Sequence, residues 1–211
     1  MKLVDLSLPM PARENGRETV ATKTLRIGSG DGSYHGMIYD FSFGSMAGTY
    51  LDLPGHIAET TDGADALNFP PEKLFRVPAT VIHLDKNSGD GPVSSEELET
   101  ACGRKGATPA LVINALGPKR FDAIEERSVY LAQDAVSWII ASGVRLLVSD
   151  IYESKAIEGV FFRLFARGIA TVCHPVNLHL LKKNETRITV SFLSFAGVTQ
   201  IPCRVLAEID E

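Results

Sequence analysis

Short apolar runs separated by polar, glycine-containing segments recur along the whole chain. Val4, Leu6 and Leu8 alternate with polar residues as far as Pro9, which predicts a half-buried opening strand. Comparable apolar runs predict further strands at 38–43, 79–84, 110–114, 144–149, 169–173, 187–195 and 203–207. The polar segment 11–36 is expected to be a loop or a loose hairpin.

Three helices are predicted between these strands. Ser94 and Glu97 have the spacing of a capping box, so a short helix is expected to follow and to end near Gly103. Helical patterns at 131–142 and 157–167 each stop at a glycine, which favours a helix end. This mixed order, with no repeat and no linker, predicts an α/β fold with a mixed β-sheet core and flanking helices, in a single domain.

Composition excludes several classes of function. The 211 residues carry 21 basic and 26 acidic side chains, a formal net charge of -5, and neither sign forms a long block. The pattern therefore disfavours nucleic-acid and membrane partners. Cys102, Cys173 and Cys203 are too few for a disulfide scaffold, and no apolar run reaches about 18 residues. A reduced, cytoplasmic protein is expected.

The stretch 46–56, MAGTYLDLPGH, concentrates the residues that carry chemistry. If it is extended, Met46, Tyr50, Asp52 and His56 share one face. A carboxylate and an imidazole four positions apart can serve as metal ligands or as an acid–base pair. The spacing alone does not decide between these two uses.

GTYLDLPGH resembles a degenerate copy of the HxGTHxDxPxH signature of the cyclase family, which contains metal-dependent hydrolases similar to kynurenine formamidase and isatin hydrolase. Three more segments resemble that family in the same order: VDLSLP, GIATVCHPVNLHLL and SFAGVTQIPCRVLAEID. The resemblance implies the family's swivelling β/β/α fold over residues 1–211. It also implies hydrolysis of a small amide or lactone, and assembly into a homodimer or homotetramer.

The resemblance also implies a metal site, usually for zinc or manganese, whose ligands include two histidines and the aspartate of the signature. Asp52 stands at the aspartate position, and His56 stands at the position of the acid–base histidine. Met46 and Tyr50, however, occupy the positions of the two ligand histidines. If any metal is bound, Asp52 and His56 are the ligands that remain.

The second half of the implied metal site is replaced as well. Cys173 falls at the position of a ligand glutamate, and the distal histidine position falls near Phe161 or Phe162. Zinc sites in proteins use three or four protein ligands. We therefore expect no cofactor, although zinc or manganese is what the family implies.

Three interpretations remain open. In the first, a metal-free enzyme, Asp52 orients His56 while the Tyr50 hydroxyl donates to a carbonyl or an oxyanion; the reaction is a hydrolysis, or a related cyclisation or dehydration. In the second, a different metal is bound by Met46 and Cys173 as soft ligands and by Tyr50 as an oxygen donor. In the third, an inactive homologue binds a small molecule or a protein partner through the inherited pocket.

We expect a hydrolase or lyase in which His56, Asp52 and Tyr50 are catalytic. The residues predicted to contact the substrate are Met46, Phe161, Cys173 and His174. Cys173 and His174 are not expected to form a nucleophile–base pair, because adjacent side chains of a strand point to opposite faces.

Overall fold

The computed structural model describes residues 1–14, 16–84, 86, 89–103 and 108–209, in which fifteen strands and three α-helices form. The strands are β1 (Lys2–Asp5), β2 (Arg13–Glu14), β3 (Arg17–Glu18), β4 (Val20–Ile27), β5 (Tyr34–Phe41), β6 (Tyr50–Asp52), β7 (Val77–His83), β8 (Gly91–Val93), β9 (Ala110–Asn114), β10 (Val129–Leu131), β11 (Leu146–Ser149), β12 (Ala170–Cys173), β13 (Glu185–Ser191), β14 (Gln200–Pro202) and β15 (Arg204–Ile209). The helices are α1 (Ser95–Cys102), α2 (Gln133–Ala141) and α3 (Val160–Phe165).

Nine of these strands form one mixed sheet in the order β1-β15-β13-β7-β9-β11-β12-β6-β14. The neighbours β7, β9, β11 and β12 pair in parallel, and the other pairs of this sheet are antiparallel. Every residue of β9, β11 and β12 is buried. Central parallel strands are covered on both faces, which explains why these stretches are nearly continuous apolar runs.

Two apolar clusters cover the two faces of the sheet. Leu98 of α1, Ile139 of α2 and Leu164 of α3 belong to the first cluster, so the helices cover that face. Strand β6 contributes to both faces: Tyr50 lies in the first cluster and Leu51 in the second. The short strand is therefore held from both sides, as alternating side chains allow.

The predicted mixed sheet with flanking helices is confirmed. The capping box forms, with mutual hydrogen bonds between Ser94 and Glu97, and Gly103 ends α1 in the left-handed conformation. Helix α3 begins later than predicted because Ile157 and Gly159 have positive φ angles, which a helix cannot contain. Among the helices of the described chain, none is long and apolar enough to cross a membrane.

The segment 11–36, expected to be a loop or a loose hairpin, contains most of a regular hairpin. Strands β4 and β5 have eight residues each and pair antiparallel from Val20 opposite Phe41 to Ile27 opposite Tyr34. No residue of either strand is buried, so the hairpin contributes nothing to the core. The sequence did not reveal β4, because a strand without a buried face lacks the apolar alternation that identifies strands.

We expect Leu51→Ala to lower the free energy of unfolding by about 2–5 kcal/mol. Leu51 is fully buried on the face of β6 that points away from Tyr50. Urea unfolding measures this change. The control is Leu67→Ala at an exposed position, for which a change within about 0.5 kcal/mol is expected. Equal effects of the two substitutions would contradict the anchoring of β6 by Leu51.

Candidate functional site

The signature segment is extended over only three residues, Tyr50–Asp52. Before the strand, Gly48 has φ +68°, and a Cβ there would lie 2.7 Å from the carbonyl oxygen of Leu8, so glycine is required. After the strand, Pro54–His56 forms a 3-10 turn. The expected common face therefore holds for Tyr50 and Asp52 alone.

Pairing between β6 and β12 brings the two halves of the site together. Cys173 lies opposite Tyr50 in the antiparallel register. Its thiol donates to Asp52 Oδ2 across 3.6 Å, and both side chains are buried. The other carboxylate oxygen, Asp52 Oδ1, is buried without a hydrogen-bond partner among the described residues.

Burial disfavours the charged forms of the side chains in this cluster. Burial raises the pKa of the Asp52 carboxyl, and a hydrogen bond from Gln200 and the nearby His56 oppose that rise. Burial also raises the pKa of Tyr50 and of Cys173, so both remain protonated donors at neutral pH. A thiol in that state is a poor nucleophile.

His56 lies beside Asp52 without bonding to it directly in the described structure. Its Nε2 is 3.1 Å from the Gln200 amide nitrogen. The Ser45 hydroxyl donates to the Gln200 amide oxygen and so turns the amide nitrogen toward His56. The expected direct orientation of His56 by Asp52 is therefore replaced by Gln200. The His56 residue itself is exposed.

His174 is held in place by the signature segment. Its φ is 55°, a left-handed conformation that is uncommon outside glycine and concentrates at functional sites. The Thr49 hydroxyl donates to the His174 carbonyl over 2.7 Å. The imidazole stacks on Phe121 with ring centroids 3.9 Å apart and meets Tyr50 edge-on at 5.1 Å. Burial lowers the pKa of His174, although a hydrogen bond with the Gly48 backbone opposes this, so the ring is neutral at pH 7.

Four of the predicted site residues line one cavity of about 170 Å³. Its lining residues are Tyr50, Phe121, Ile124, Glu126, Arg127, Val129, Asp150, Ile151, Tyr152, Glu153, Phe161, Cys173 and His174. Asp52 lies behind this wall, in contact with Cys173. His56 and Met46 are outside the lining, and Met46 is 58% exposed.

The family of the chain follows from its sequence. Residues 4–154, more than half of the chain, match the family described as "Putative cyclase". The chain belongs to the cyclase family. The resemblance seen in the signature is thereby confirmed.

Solved structures share the cyclase fold over nearly the whole chain. Isatin hydrolase A from Labrenzia aggregata, bound to benzyl benzoate, is 19% identical in sequence and has a TM-score of 0.71. The alignment covers 100% of this chain and 94% of the isatin hydrolase chain. Isatin hydrolase A from Ralstonia solanacearum is 19% identical and has a TM-score of 0.70, and the alignment covers 99% of this chain and 92% of that one. A predicted metal-dependent hydrolase from Bacillus stearothermophilus is 19% identical and has a TM-score of 0.66, and the alignment covers 98% of this chain and 97% of that one. A comparison with curated proteins found no match. This likeness confirms the predicted fold.

The residues of this cyclase do not fit the metal that the family implies. The unpartnered Asp52 Oδ1 is one oxygen that a cation would accept. Within the described ranges, however, no group of three or more His, Cys, Asp or Glu side chains is placed to hold a metal ion. Cys173 is buried beside Asp52, whereas Met46 is exposed. A zinc site needs three or four protein ligands.

The cavity is also lined by Phe121, Arg127 and Asp150, which the sequence pattern did not predict. Asp150 directly follows β11, and its carboxylate accepts the backbone N–H groups of Ala115 and Leu116 at 2.9 and 3.0 Å. Burial raises the pKa of Asp150 to about 6. A polar residue at the carboxyl end of a buried parallel strand is a recognisable signal, because ligands of open α/β sheets bind at that edge.

We expect Asp52→Asn to stabilise the protein at alkaline pH. A carboxyl whose folded-state pKa is raised contributes stability at low pH and loses it as pH rises through that pKa. The melting temperature of the variant should therefore exceed that of the wild type near about pH 8, by a margin that shrinks toward about pH 4.

Thermal unfolding of both proteins across this range measures the margin. Glu59→Gln, at an exposed position shortly after the same strand, is the control and should show a small, unchanging difference. A margin for Asp52→Asn that stays constant with pH would contradict the raised pKa.

Proposed function

We propose that this cyclase is a hydrolase that opens a small cyclic amide or lactone, or cleaves a formamide, in the cavity beside Tyr50 and His174. One observation carries the proposal: a neutral imidazole and a protonated phenol line the same small cavity, with their rings 5.1 Å apart. A neutral base next to a hydrogen-bond donor is what water addition to a carbonyl requires.

His174 acts as the general base in this proposal. It takes a proton from water as the water oxygen bonds to the substrate carbonyl carbon. The Tyr50 hydroxyl donates to the oxygen on which negative charge develops. The imidazolium then returns the proton to the leaving nitrogen or oxygen as the C–N or C–O bond breaks, so a carboxylic acid and an amine or alcohol result.

Positioning accounts for the signature residues that do not face the cavity. Thr49 and Gly48 hold the backbone and ring of His174. The Asp52 carboxyl accepts a hydrogen bond from the Cys173 thiol and thereby fixes the part of the cavity wall that lies opposite Tyr50. In this proposal Asp52 is a positioning residue, and the base is His174 in place of His56, whose imidazole lies outside the lining.

The substrate class follows from the size and walls of the cavity. Its volume of about 170 Å³ is below the range of roughly 300–1,000 Å³ for drug-sized ligands, which favours a substrate with a single ring. Phe121, Tyr152 and Phe161 supply aromatic walls, with Tyr152 and Phe161 stacked at 5.0 Å. The isatin hydrolases and the metal-dependent hydrolase of the same fold support a hydrolytic reaction.

A non-catalytic binding protein is the second candidate. It is favoured by Asp52 Oδ1, which is buried and beyond the reach of solvent, and by the neutral Cys173 thiol. In that case the cavity binds a small aromatic molecule and releases it unchanged. Saturable binding without turnover would identify this function.

We expect His174→Gln to lower kcat/KM by about 10²–10⁴-fold, and Tyr50→Phe by about 10²–10³-fold, on the best substrate from a panel of cyclic amides, lactones and N-formyl arylamines. For the wild type, kcat/KM should fall on the acid side with a pKa below the usual 6.5 of histidine, because burial lowers the pKa of His174. Steady-state kinetics across pH measures both effects.

The matched control is His179→Gln, a histidine outside the cavity lining, and its turnover should match the wild type. His56→Gln discriminates between the two histidines: a loss confined to His56→Gln would assign the base to His56 and overturn the role of His174. No turnover of any panel compound, together with binding of one of them, would replace the hydrolase by the binding protein.

A further inference from the structure

A guanidinium stands at the mouth of the cavity that Tyr50 and His174 line. Among the described residues of the lining, Arg127 is the only lysine or arginine, and its side chain is 41% exposed. His174 is neutral at pH 7, because burial lowers its pKa. Burial raises the pKa of Tyr50, and the charge of Arg127 opposes that rise, so the field of the guanidinium reaches the Tyr50 hydroxyl. Arg127 is therefore the source of positive potential in this cavity.

The backbone of Arg127 has a conformation that turns usually reserve for glycine. The Ser128 N–H donates to the Glu125 carbonyl across 3.1 Å, which makes Arg127 the third residue of a four-residue turn. Its φ is 57°, and a positive φ at the third position favours glycine or asparagine. Residues held in left-handed conformations concentrate at ligand-binding and active sites. The guanidinium is what an arginine adds at such a position.

The turn is anchored on both sides of Arg127. The Ser128 hydroxyl donates to the Glu125 carbonyl over 2.7 Å, and the Glu125 carboxylate pairs with Lys155. Directly after the turn, β10 begins at Val129, which is buried and lines the cavity. These contacts hold the backbone of Arg127 beside the cavity.

The guanidinium has no strong anionic partner in the described part of the chain. Its one ion pair is with the neighbouring Glu126 at 3.5 Å, and the Glu126 side chain is 87% exposed. Exposed ion pairs contribute little free energy. The other acids of the lining are engaged elsewhere, since Asp150 and Glu153 each accept two backbone N–H groups. A bound anion would therefore find the guanidinium available.

We propose that Arg127 binds a carboxylate of the substrate, so that the cavity selects single-ring compounds with an anionic substituent. A guanidinium can hold a carboxylate through two parallel hydrogen bonds, which fixes orientation as well as charge. Phe121, Tyr152 and Phe161 supply the aromatic walls that receive the ring. The inference rests on the proposed use of this cavity as the substrate site, but the binding step requires no turnover.

NMR titrations of the labelled protein with benzoate and benzamide, at constant ionic strength, test the binding step. The two probes have nearly the same shape and differ in charge. Wild type should bind benzoate at least about 10-fold more tightly, and the amide signals that shift should include those of Arg127 and His174. Equal affinities, no binding of benzoate at tens of millimolar, or shifts confined to another surface would overturn the proposal.

Substitutions of the arginine assign the preference to its guanidinium. Arg127→Gln should bring the ratio of the benzoate and benzamide affinities to about one, whereas Arg127→Lys keeps the charge without the planar fork and should retain an intermediate ratio. The matched control is Arg167→Gln, at an exposed arginine outside the cavity lining, and its ratio should equal that of the wild type. A preference for benzoate that survives Arg127→Gln would overturn the assignment.

The variant Arg127→Gly separates anion binding from a structural role. Glycine adopts a positive φ without strain, so this variant should not melt clearly below Arg127→Gln, and it should lose the preference for benzoate. A clearly lower melting temperature would show that the side chain stabilises the turn, and it would overturn the argument from the backbone of Arg127.

Turnover distinguishes a carboxylate of the substrate from one that hydrolysis creates. Formanilide and its ring-carboxylated derivatives share the formamide that is cleaved. The best carboxylated compound should have a kcat/KM at least about 10-fold above that of formanilide, and Arg127→Gln should abolish the difference. Equal kcat/KM values, with inhibition by the carboxylate product that depends on Arg127, would assign the guanidinium to the product and overturn the proposal.

The two proposals fail in different ways. If no compound is turned over while the preference for benzoate depends on Arg127, the proposed hydrolysis is wrong and the anion site stands in a binding protein. If formanilide and its carboxylated derivatives are hydrolysed alike and benzoate binds no better than benzamide, the hydrolase stands and the role of Arg127 is wrong.

Discussion

The antiparallel pairing of β6 with β12 is the constraint on which the rest of the site depends. It places Tyr50 opposite Cys173, and it sets Asp52 one diagonal step from the thiol that donates to it. On its other side β6 pairs with β14, where Gln200 lies opposite Asp52. A three-residue strand thus fixes a donor, a carboxylate and an amide at once, because both of its edges are occupied and Leu51 anchors its opposite face.

The residues that surround Asp52 are physically consistent with one another. A metal ion holds a buried carboxylate ionised, whereas a phenol and a thiol are neutral and leave the burial penalty uncompensated. With Tyr50 and Cys173 as neighbours, the Asp52 carboxyl has a raised pKa and retains one oxygen without a partner. The side chains of Tyr50, Asp52 and Cys173 therefore form a buried cluster that holds protons.

The sequence was sufficient for the core and for the segment that carries chemistry, and insufficient for the geometry of the site. Buried parallel strands such as β9 are continuous apolar runs, and the capping box before α1 is a local signal, so both were predictable. His174 was harder, because its role depends on a left-handed backbone and on Thr49, which is 125 residues away in the chain. The position of His56 depended on a 3-10 turn that the alternation of an extended strand could not anticipate.

The hairpin and the site strand are parts of one continuous segment. Strand β5 ends at Phe41, and eight residues separate it from β6, which begins at Tyr50. Within that connection Gly44 donates to the Glu14 carboxylate, and Ser45 donates to the amide of Gln200 that faces His56. The backbone that leads from the hairpin to β6 therefore also positions Ser45, and through Ser45 the Gln200 amide that faces His56.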